Sequence, residues 1–168
     1  MYLEYTTPVL KNSTKEISVR NRHNEEVLIL QKFFKNKLEQ VLSSLRPGMF
    51  TNIIVKENNK TVVISNDKFS FGRTKWEVDF QGSSIMLMDK SVTAIHPRAV
   101  FEVNGKEYQI ELNFGDKRVM IYSNARDKIA ELTHEKMVPS KCHISEVFHE
   151  EIDLRLLLCI VHTFSEVY

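Results

Sequence analysis

The segment from residue 150 to residue 166 is apolar almost all the way round a helical wheel, and it limits how the chain can fold. A helix that is hydrophobic on every side must be surrounded by lipid or by protein. Its unbroken apolar part, Leu156 to Val161, is far shorter than the ~20 residues needed to span a bilayer. Arg155 and His162 bracket that part, and both side chains are costly in hydrocarbon. The segment therefore predicts a helix buried inside protein, with no transmembrane span.

Most of the chain before this helix has the pattern of short strands separated by turns. Trp76, Val78 and Phe80 alternate with charged residues, which is typical of a strand buried on one face. Asn104-Gly105 is the strongest hairpin signal in the chain. About ten such strands are expected to close on themselves, because closure removes exposed strand edges. The predicted fold class is mainly β, a closed antiparallel β-barrel around a buried, hydrophobic C-terminal helix.

A second helix is predicted over residues 33–45. Its apolar residues recur at helical spacings of three and four, and Arg46-Pro-Gly48 ends the pattern. This amphipathic helix is expected to lie outside the barrel or to plug one end of it. The chain is expected to form one domain over residues 1–168, with residues 1–14 as a flexible N-terminal segment.

Composition favours a globular protein and gives no general preference for polyanions. The net charge is +1, so nucleic acid is not a predicted partner, and any anionic ligand must be met by a local patch. The N-terminal sequence lacks a basic stretch followed by an apolar one, which favours a cytoplasmic location. The lipid-binding prediction given below adds a position peripheral to the membrane. Two cysteines, Cys142 and Cys159, do not make a disulfide framework. A monomer is expected.

The order of these patterns resembles the tubby C-terminal-like superfamily. The resemblance is carried by five segments, Ile17–His23, Val27–Lys32, Trp76–Phe80, Phe101–Tyr108 and Asp153–His162. It runs from about Lys15 to the end of the sequence. The superfamily includes tubby proteins, phospholipid scramblases, plant LURP-one-related proteins and small bacterial members, and the compact length is most similar to the last. The resemblance implies a barrel around a central helix and an association with lipids. It assigns no functional residue here.

Sequence evidence for catalysis or for a metal is weak. His143, Glu146, His149 and Glu150 lie near Cys142, but His143 and His149 are about 20 Å apart along an extended strand, too far for one zinc site. His134 and His143 are candidates to meet across neighbouring strands. Nucleophile-elbow, P-loop and dinucleotide-binding patterns are absent from the sequence. We therefore predict no catalytic residue, no metal and no cofactor.

Basic residues at predicted strand ends are the candidate ligand site. The candidates for contact with an anionic ligand are Lys68, Arg73, Lys75, Lys117 and Arg118, with Phe71 resting at a membrane interface. A competing interpretation is that lysines at strand ends protect sheet edges from pairing. The predicted function is a non-catalytic module that binds anionic lipid or a lipid-like ligand at the membrane surface. A protein-interaction scaffold is the alternative, and a hydrolase using histidine and carboxylate residues is the second alternative.

The predicted C-terminal helix carries one narrow polar stripe. Its members are Arg155, Cys159, His162 and Glu166, spaced at i, i+4, i+7 and i+11. Three surroundings are open for this stripe: a gap in the barrel wall, a buried polar partner, or the barrel mouth. The sequence does not decide between them, and the roles of His134, His143 and His149 also remain open.

Overall fold

The computed structural model describes residues 2–8, 10, 12–46, 49–68, 73–92, 96–113, 118–134, 141–146 and 152–168. Twelve strands and two helices lie in this part of the chain. The strands are β1 Tyr2–Thr6, β2 Ile17–Arg20, β3 Glu26–Phe33, β4 Asn52–Glu57, β5 Lys60–Lys68, β6 Lys75–Phe80, β7 Ser83–Asp89, β8 Arg98–Val103, β9 Lys106–Asn113, β10 Arg118–Ser123, β11 Lys128–His134 and β12 Lys141–Glu146. The helices are α1 Lys37–Leu45 and α2 Leu154–Val167.

The strands form one large antiparallel sheet, so the prediction of a mainly β fold with a C-terminal helix is confirmed. From β2 to β12 each strand pairs with its neighbours in the sequence, as expected for a chain of hairpins. β1 pairs with β12 over five residues. It also pairs with β2, at Glu4 with Arg20 and at Tyr5 with Val19. The β1–β2 pairing has two residue pairs, as does the pairing of β7 with β8, and these are the two shortest pairings among the described strands.

Strand β1 was not predicted, and its presence corrects the expectation of a flexible segment over residues 1–14. Residues 2–6 form the strand, and Leu3 and Tyr5 point into the core. The alternation of buried and half-buried residues is that of a strand with one apolar face. Five residues are too few to give a clear periodic signal without knowledge of the distant partner β12.

Three of the hairpin turns are formed by residue pairs with positive φ. Asn58 and Asn59, between β4 and β5, both have positive φ, as does the pair Asn104-Gly105 between β8 and β9. Gln81-Gly82 joins β6 to β7 in the same way. Asparagine and glycine tolerate this conformation, and paired positive φ values match the twist of the flanking strands. The predicted Asn-Gly hairpin is confirmed.

Helix α2 is the centre of the core. Nine consecutive residues from Leu156 to Phe164 are buried, and the apolar ones belong to one core cluster that includes apolar residues from all twelve strands. The helix begins later than the sequence suggested, because the Asp153 side chain caps it by accepting from the backbone N–H of Arg155. Glu150 and Glu151, expected in the first turn, lie outside the described residues. Within the described part of the chain, neither helix is long and apolar enough to span a membrane.

Helix α1 begins at Lys37, four residues later than predicted. Phe33 belongs instead to strand β3, and the side chain of Asn36 caps the helix by accepting from the N–H of Glu39. Helix α1 has the opposite orientation to an ordinary surface helix, which turns its apolar face towards the core. Ser43 is its buried residue, whereas Leu38, Val41 and Leu45 are 66%, 56% and 79% exposed.

Candidate functional site

Three of the five predicted basic residues lie together at one end of the sheet. Lys68 ends β5, Lys75 begins β6, and the two residues are paired across the strands. Arg73 lies two residues before Lys75 and is exposed. Lys35 precedes α1, and its Nζ donates to the carbonyl of Asp67, next to Lys68, at 2.8 Å. We call Lys35, Lys68, Arg73 and Lys75 the basic end.

The two remaining predicted residues, Lys117 and Arg118, are not assigned to the basic end. Lys117 lies outside the described residues. Arg118 begins β10, which is separated from β6 by β7, β8 and β9. Its guanidinium lies 3.6 Å from the carboxylate of Glu131, which already partners Lys128 at 2.8 Å. Phe71, the expected interfacial aromatic, also lies outside the described residues.

Edge protection does not explain Lys75, because β6 is paired with β5 on one side and with β7 on the other at this residue. β5 pairs with β6 as far as Lys68, but its pairing with β4 extends only to Ser65. Two lysines directly opposite each other repel, which costs stability. Glu77 offsets part of this cost by forming an ion pair with Lys68, and that hydrogen bond lowers the pKa of the Glu77 carboxyl. Because the facing lysines cost stability and Lys75 guards no edge, the arrangement favours a binding role.

A polar contact network fixes α1 beside the basic end. The Asn52 side chain donates to Glu39 Oε2 at 3.0 Å and accepts from the backbone N–H of Asp67 at 2.8 Å. Glu39 Oε2 also accepts from the backbone N–H of Lys35 at 2.9 Å. Asn52 is fully buried, so these bonds are needed to satisfy its amide. The network explains why α1 turns its polar face towards the sheet.

Asp67 is held next to this network in a partly desolvated position. Its carboxylate accepts from the backbone N–H of Thr51 at 3.4 Å. Burial raises the pKa of Asp67 from 3.8 to about 6, against the opposing effects of Thr51 and Lys35. Nearby Glu39 raises the pKa further. The charged form of the Asp67 carboxyl is therefore less favourable in the folded protein than in the unfolded chain.

Replacing Asp67 by asparagine is expected to raise the free energy of unfolding at neutral pH by about 1–3 kcal/mol. Below pH 3.8 the carboxyl is neutral in both states, and the difference disappears. Between pH 3.8 and about 6 the unfolded chain ionises first, so wild-type stability falls as the pH rises. Urea melts at several pH values measure this. Asp79→Asn, at an exposed position, is the control, and equal pH profiles for wild type and Asp67→Asn would contradict the prediction.

The opposite end of the sheet holds an open cleft of about 1300 Å³ around the start of α2. Arg155 lies there, and its guanidinium binds Asp153 Oδ2 at 2.6 Å and Glu57 Oε2 at 3.0 Å. It also lies 5.7 Å from the centre of the Phe80 ring. The Arg155 guanidinium therefore forms ion pairs with two carboxylates. Among the described residues that line the cleft, two arginines face three carboxylates, so these residues supply no excess of positive charge for an anionic headgroup.

The polar stripe of α2 is distributed between the cleft and buried partners. Arg155 faces the cleft, whereas His162 Nδ1 lies 3.2 Å from the Tyr5 hydroxyl. Glu166 lies 3.6 Å from the buried Lys32 ammonium. Burial lowers the pKa of His162, so this imidazole is predominantly neutral at neutral pH. Of the three surroundings considered for the stripe, the structure supports buried polar partners for His162 and Glu166, and it places Arg155 in the cleft at the end of the sheet.

The cysteines do not have the properties of nucleophiles. Burial raises the pKa of both Cys142 and Cys159 to about 12, so both thiols remain protonated at neutral pH. His134 Nδ1 lies 3.2 Å from Cys142 Sγ, and the strand register pairs His134 with Cys142 instead of with His143. Within the described ranges, no three His, Cys, Asp or Glu residues are grouped as metal ligands. His149 and the side chain of His143 lie outside those ranges.

The contribution of α1 to this end of the sheet was not predicted from the sequence. Lys35 and Lys37 precede the apolar repeat, which is a visible signal of a basic amphipathic helix. Their proximity to Lys68 depends on the contact of Lys35 with Asp67, which are 32 residues apart in the chain. No local pattern encodes that contact.

A family model described as the Tubby C-terminal like domain matches residues 3–168. The match begins inside β1 and includes the other eleven strands and both helices. It confirms the resemblance to the tubby C-terminal-like superfamily drawn from the order of strands and the apolar C-terminal helix. No curated protein and no solved structure matches the chain.

Proposed function

The chain belongs to the Tubby C-terminal like domain family, and from this premise we propose that it is a non-catalytic module that binds an anionic membrane surface reversibly through its basic end. Domains of this family are in general non-catalytic and bind lipids or proteins. The observation that carries the proposal is the pairing of Lys68 with Lys75, which sets two cations side by side although Lys75 lies on a strand that is paired on both sides.

Binding in this proposal is electrostatic and shallow. Lys68, Arg73 and Lys75 contact lipid phosphates through charge-assisted hydrogen bonds, and Lys35 adds a fourth cation at the same end. Each cation near an anionic surface contributes about 1 kcal/mol, so the total is modest and binding is reversible. The anionic leaflet faces the cytoplasm, which is where the proposal locates the protein, as a monomer peripheral to the membrane.

We infer in addition that the sheet closes into a barrel around α2. Two residue pairs between β1 and β2 support closure, because they join the two ends of the strand order. The burial of α2 supports it as well, since a helix with nine consecutive buried residues requires apolar walls on every side. A closed wall holds the basic end in a fixed geometry relative to the membrane plane.

Vesicle co-sedimentation tests the lipid proposal. The protein is expected to sediment with vesicles containing phosphatidylserine, to bind neutral phosphatidylcholine vesicles less, and to be released as salt rises. The variant Lys68→Glu/Lys75→Glu is expected to bind anionic vesicles at least about 30-fold more weakly, because two contributions of about 1 kcal/mol are lost.

A matched control is available at the other end of the same sheet. Lys60 begins β5 and Lys106 begins β9, and both are exposed. Lys60→Glu/Lys106→Glu changes the net charge equally and is expected to leave vesicle binding nearly intact. Equal losses in the two double variants, or no preference of the wild type for anionic vesicles, would overturn the proposal. A protein-interaction scaffold would then be the better interpretation.

A further inference from the structure

Helix α1 presents its apolar side to solvent. Leu38, Val41 and Leu45 occupy positions i, i+3 and i+7, and all three side chains are more than half exposed. A surface helix normally buries such a stripe against the core. The polar side of α1 is turned inwards instead, with Glu39 bound to Asn52 and Ser43 buried. The exposed stripe is therefore a fixed feature of the fold.

Two further exposed apolar residues lie in segments that contact α1. The side chain of Asn12 donates to the carbonyl of Ser43 at 2.6 Å, which holds the preceding turn against the helix. Leu10 in that turn is 75% exposed. Met49, which follows α1 and donates its backbone N–H to Arg46, is also exposed. We call the exposed stripe of Leu38, Val41 and Leu45 the apolar ridge.

Cations surround the apolar ridge. Lys35 and Lys37 lie at the start of α1, Arg46 lies at its end, and all three are exposed. Glu39 is the only acidic residue in the sequence from 35 to 46, and its carboxylate faces the sheet. The basic end adjoins the start of the helix through the contact of Lys35 with Asp67. An apolar stripe with positive flanks is complementary to an anionic bilayer surface.

A second copy of the chain fits the ridge less well. Helix α1 has nine residues, so its face is about 14 Å long, and a strip of that length and about 10 Å width is far below the roughly 800 Å² per partner of a stable interface. The flanking cations of two copies would also repel each other. A bilayer needs no matching surface and supplies the opposite charge. The observations therefore favour a lipid surface as the occupant.

We propose that α1 is an interfacial anchor that places Leu38, Val41 and Leu45 in the headgroup–acyl boundary of an anionic bilayer, with Lys35, Lys37 and Arg46 at the level of the phosphates. The inference rests on the proposed function and deepens it. It makes the bilayer itself the ligand, as opposed to a soluble phosphate or a free headgroup, because only a bilayer offers an apolar layer beneath the charges.

Tryptophan fluorescence measures insertion directly. The natural Trp76 is fully buried and provides a constant background. Val41→Trp is expected to shift its emission to the blue on phosphatidylserine vesicles and to be quenched by lipids brominated in the acyl chain. Thr61→Trp, at an exposed position near the start of β5 and at the opposite end of the sheet from the basic end, is the matched control and is expected to show neither effect.

The variant Leu38→Asp/Val41→Asp tests the energetic role of the ridge. Its affinity for anionic vesicles is expected to fall at least about tenfold, because apolar burial at the interface is replaced by charges that anionic lipid repels. Its melting temperature is expected to stay at or above that of the wild type, since both positions are exposed in the free protein. Leu38→Gln/Val41→Gln separates lost apolar contact from added repulsion and is expected to bind more weakly than wild type as well.

The outcomes separate this inference from the proposed function. Anionic vesicle binding that depends on Lys68 and Lys75, with no quenching of Val41→Trp, would overturn the anchor and leave the proposed function standing. Quenching that is equal on neutral and anionic vesicles would keep the anchor and overturn the proposed preference for anionic lipid. No vesicle binding by the wild type would overturn both. Release by soluble glycerophosphate beyond that caused by sodium chloride of equal ionic strength would identify a soluble ligand and overturn the anchor.

Discussion

Replacing Leu157 by aspartate is expected to abolish the folded state. Leu157 lies in the middle of α2 and is fully buried. The change removes apolar contacts and buries a carboxylate without a partner, for which a cost above about 4 kcal/mol is expected. That is comparable with the total stability of an ordinary domain, about 5–15 kcal/mol. Loss of the cooperative thermal transition, followed by circular dichroism, is the measurement.

Two controls isolate burial as the cause. Leu45→Asp makes the same chemical change at a position that is 79% exposed, and it is expected to leave the melting temperature nearly unchanged. Leu157→Met keeps the apolar volume and is expected to cost less than about 1.5 kcal/mol. Deleting residues 150–168 should have the same consequence as Leu157→Asp, because the strands would enclose an empty interior. A truncated protein that still melts cooperatively would show that α2 is not the core.

Lys32→Met is expected to destabilise the protein by about 3–5 kcal/mol, because it leaves a largely buried carboxylate without its cation. Lys32 is 4% exposed, and its ammonium lies 3.6 Å from Glu166, which is 15% exposed. Urea unfolding measures the loss. The double variant Lys32→Met/Glu166→Gln is expected to recover most of the stability, since neither charge is then buried alone.

An exposed ion pair provides the comparison for Lys32. Lys56 lies 2.7 Å from Glu16, but Glu16 is 53% exposed. Lys56→Met is therefore expected to cost less than about 1 kcal/mol, despite the shorter distance. Lys32 also lowers the pKa of His162, so Lys32→Met should raise that pKa, which NMR titration of the imidazole detects. A small cost for Lys32→Met with an unchanged His162 pKa would contradict the buried-pair interpretation.

Local signals account for the parts of the fold that the sequence predicted. The apolar run around Leu157 requires burial wherever it lies, and the Asn104-Gly105 turn fixes a hairpin without help from distant residues. Strand β1 was missed because its main partner, β12, lies about 140 residues away, and strand pairing over that distance leaves no local trace. Periodicity also shows that the two faces of α1 differ, but it does not show which face is turned inwards.

The candidate site was predictable only in part, because some of its contacts join residues that are far apart in the sequence. Lys68 and Lys75 were recognised as basic strand ends, and their pairing across β5 and β6 follows from the strands on either side of one turn. The addition of Lys35 depends on its contact with Asp67, and the partners of His162 and Glu166 come from β1 and β3. Side chains that are brought together by the pairing of distant strands cannot be paired from their spacing in the sequence.

The position of α2 after all twelve strands has a consequence for biosynthesis. A ribosome adding about 5–20 residues per second takes roughly ten to thirty seconds to pass from β1 to α2. Throughout that time the strands have nothing to pack around, and their apolar faces remain accessible to other chains and to chaperones. The nascent chain therefore cannot complete its core until α2 has been synthesised. Its yield in a cell should depend on chaperones that shield strands until the last helix emerges.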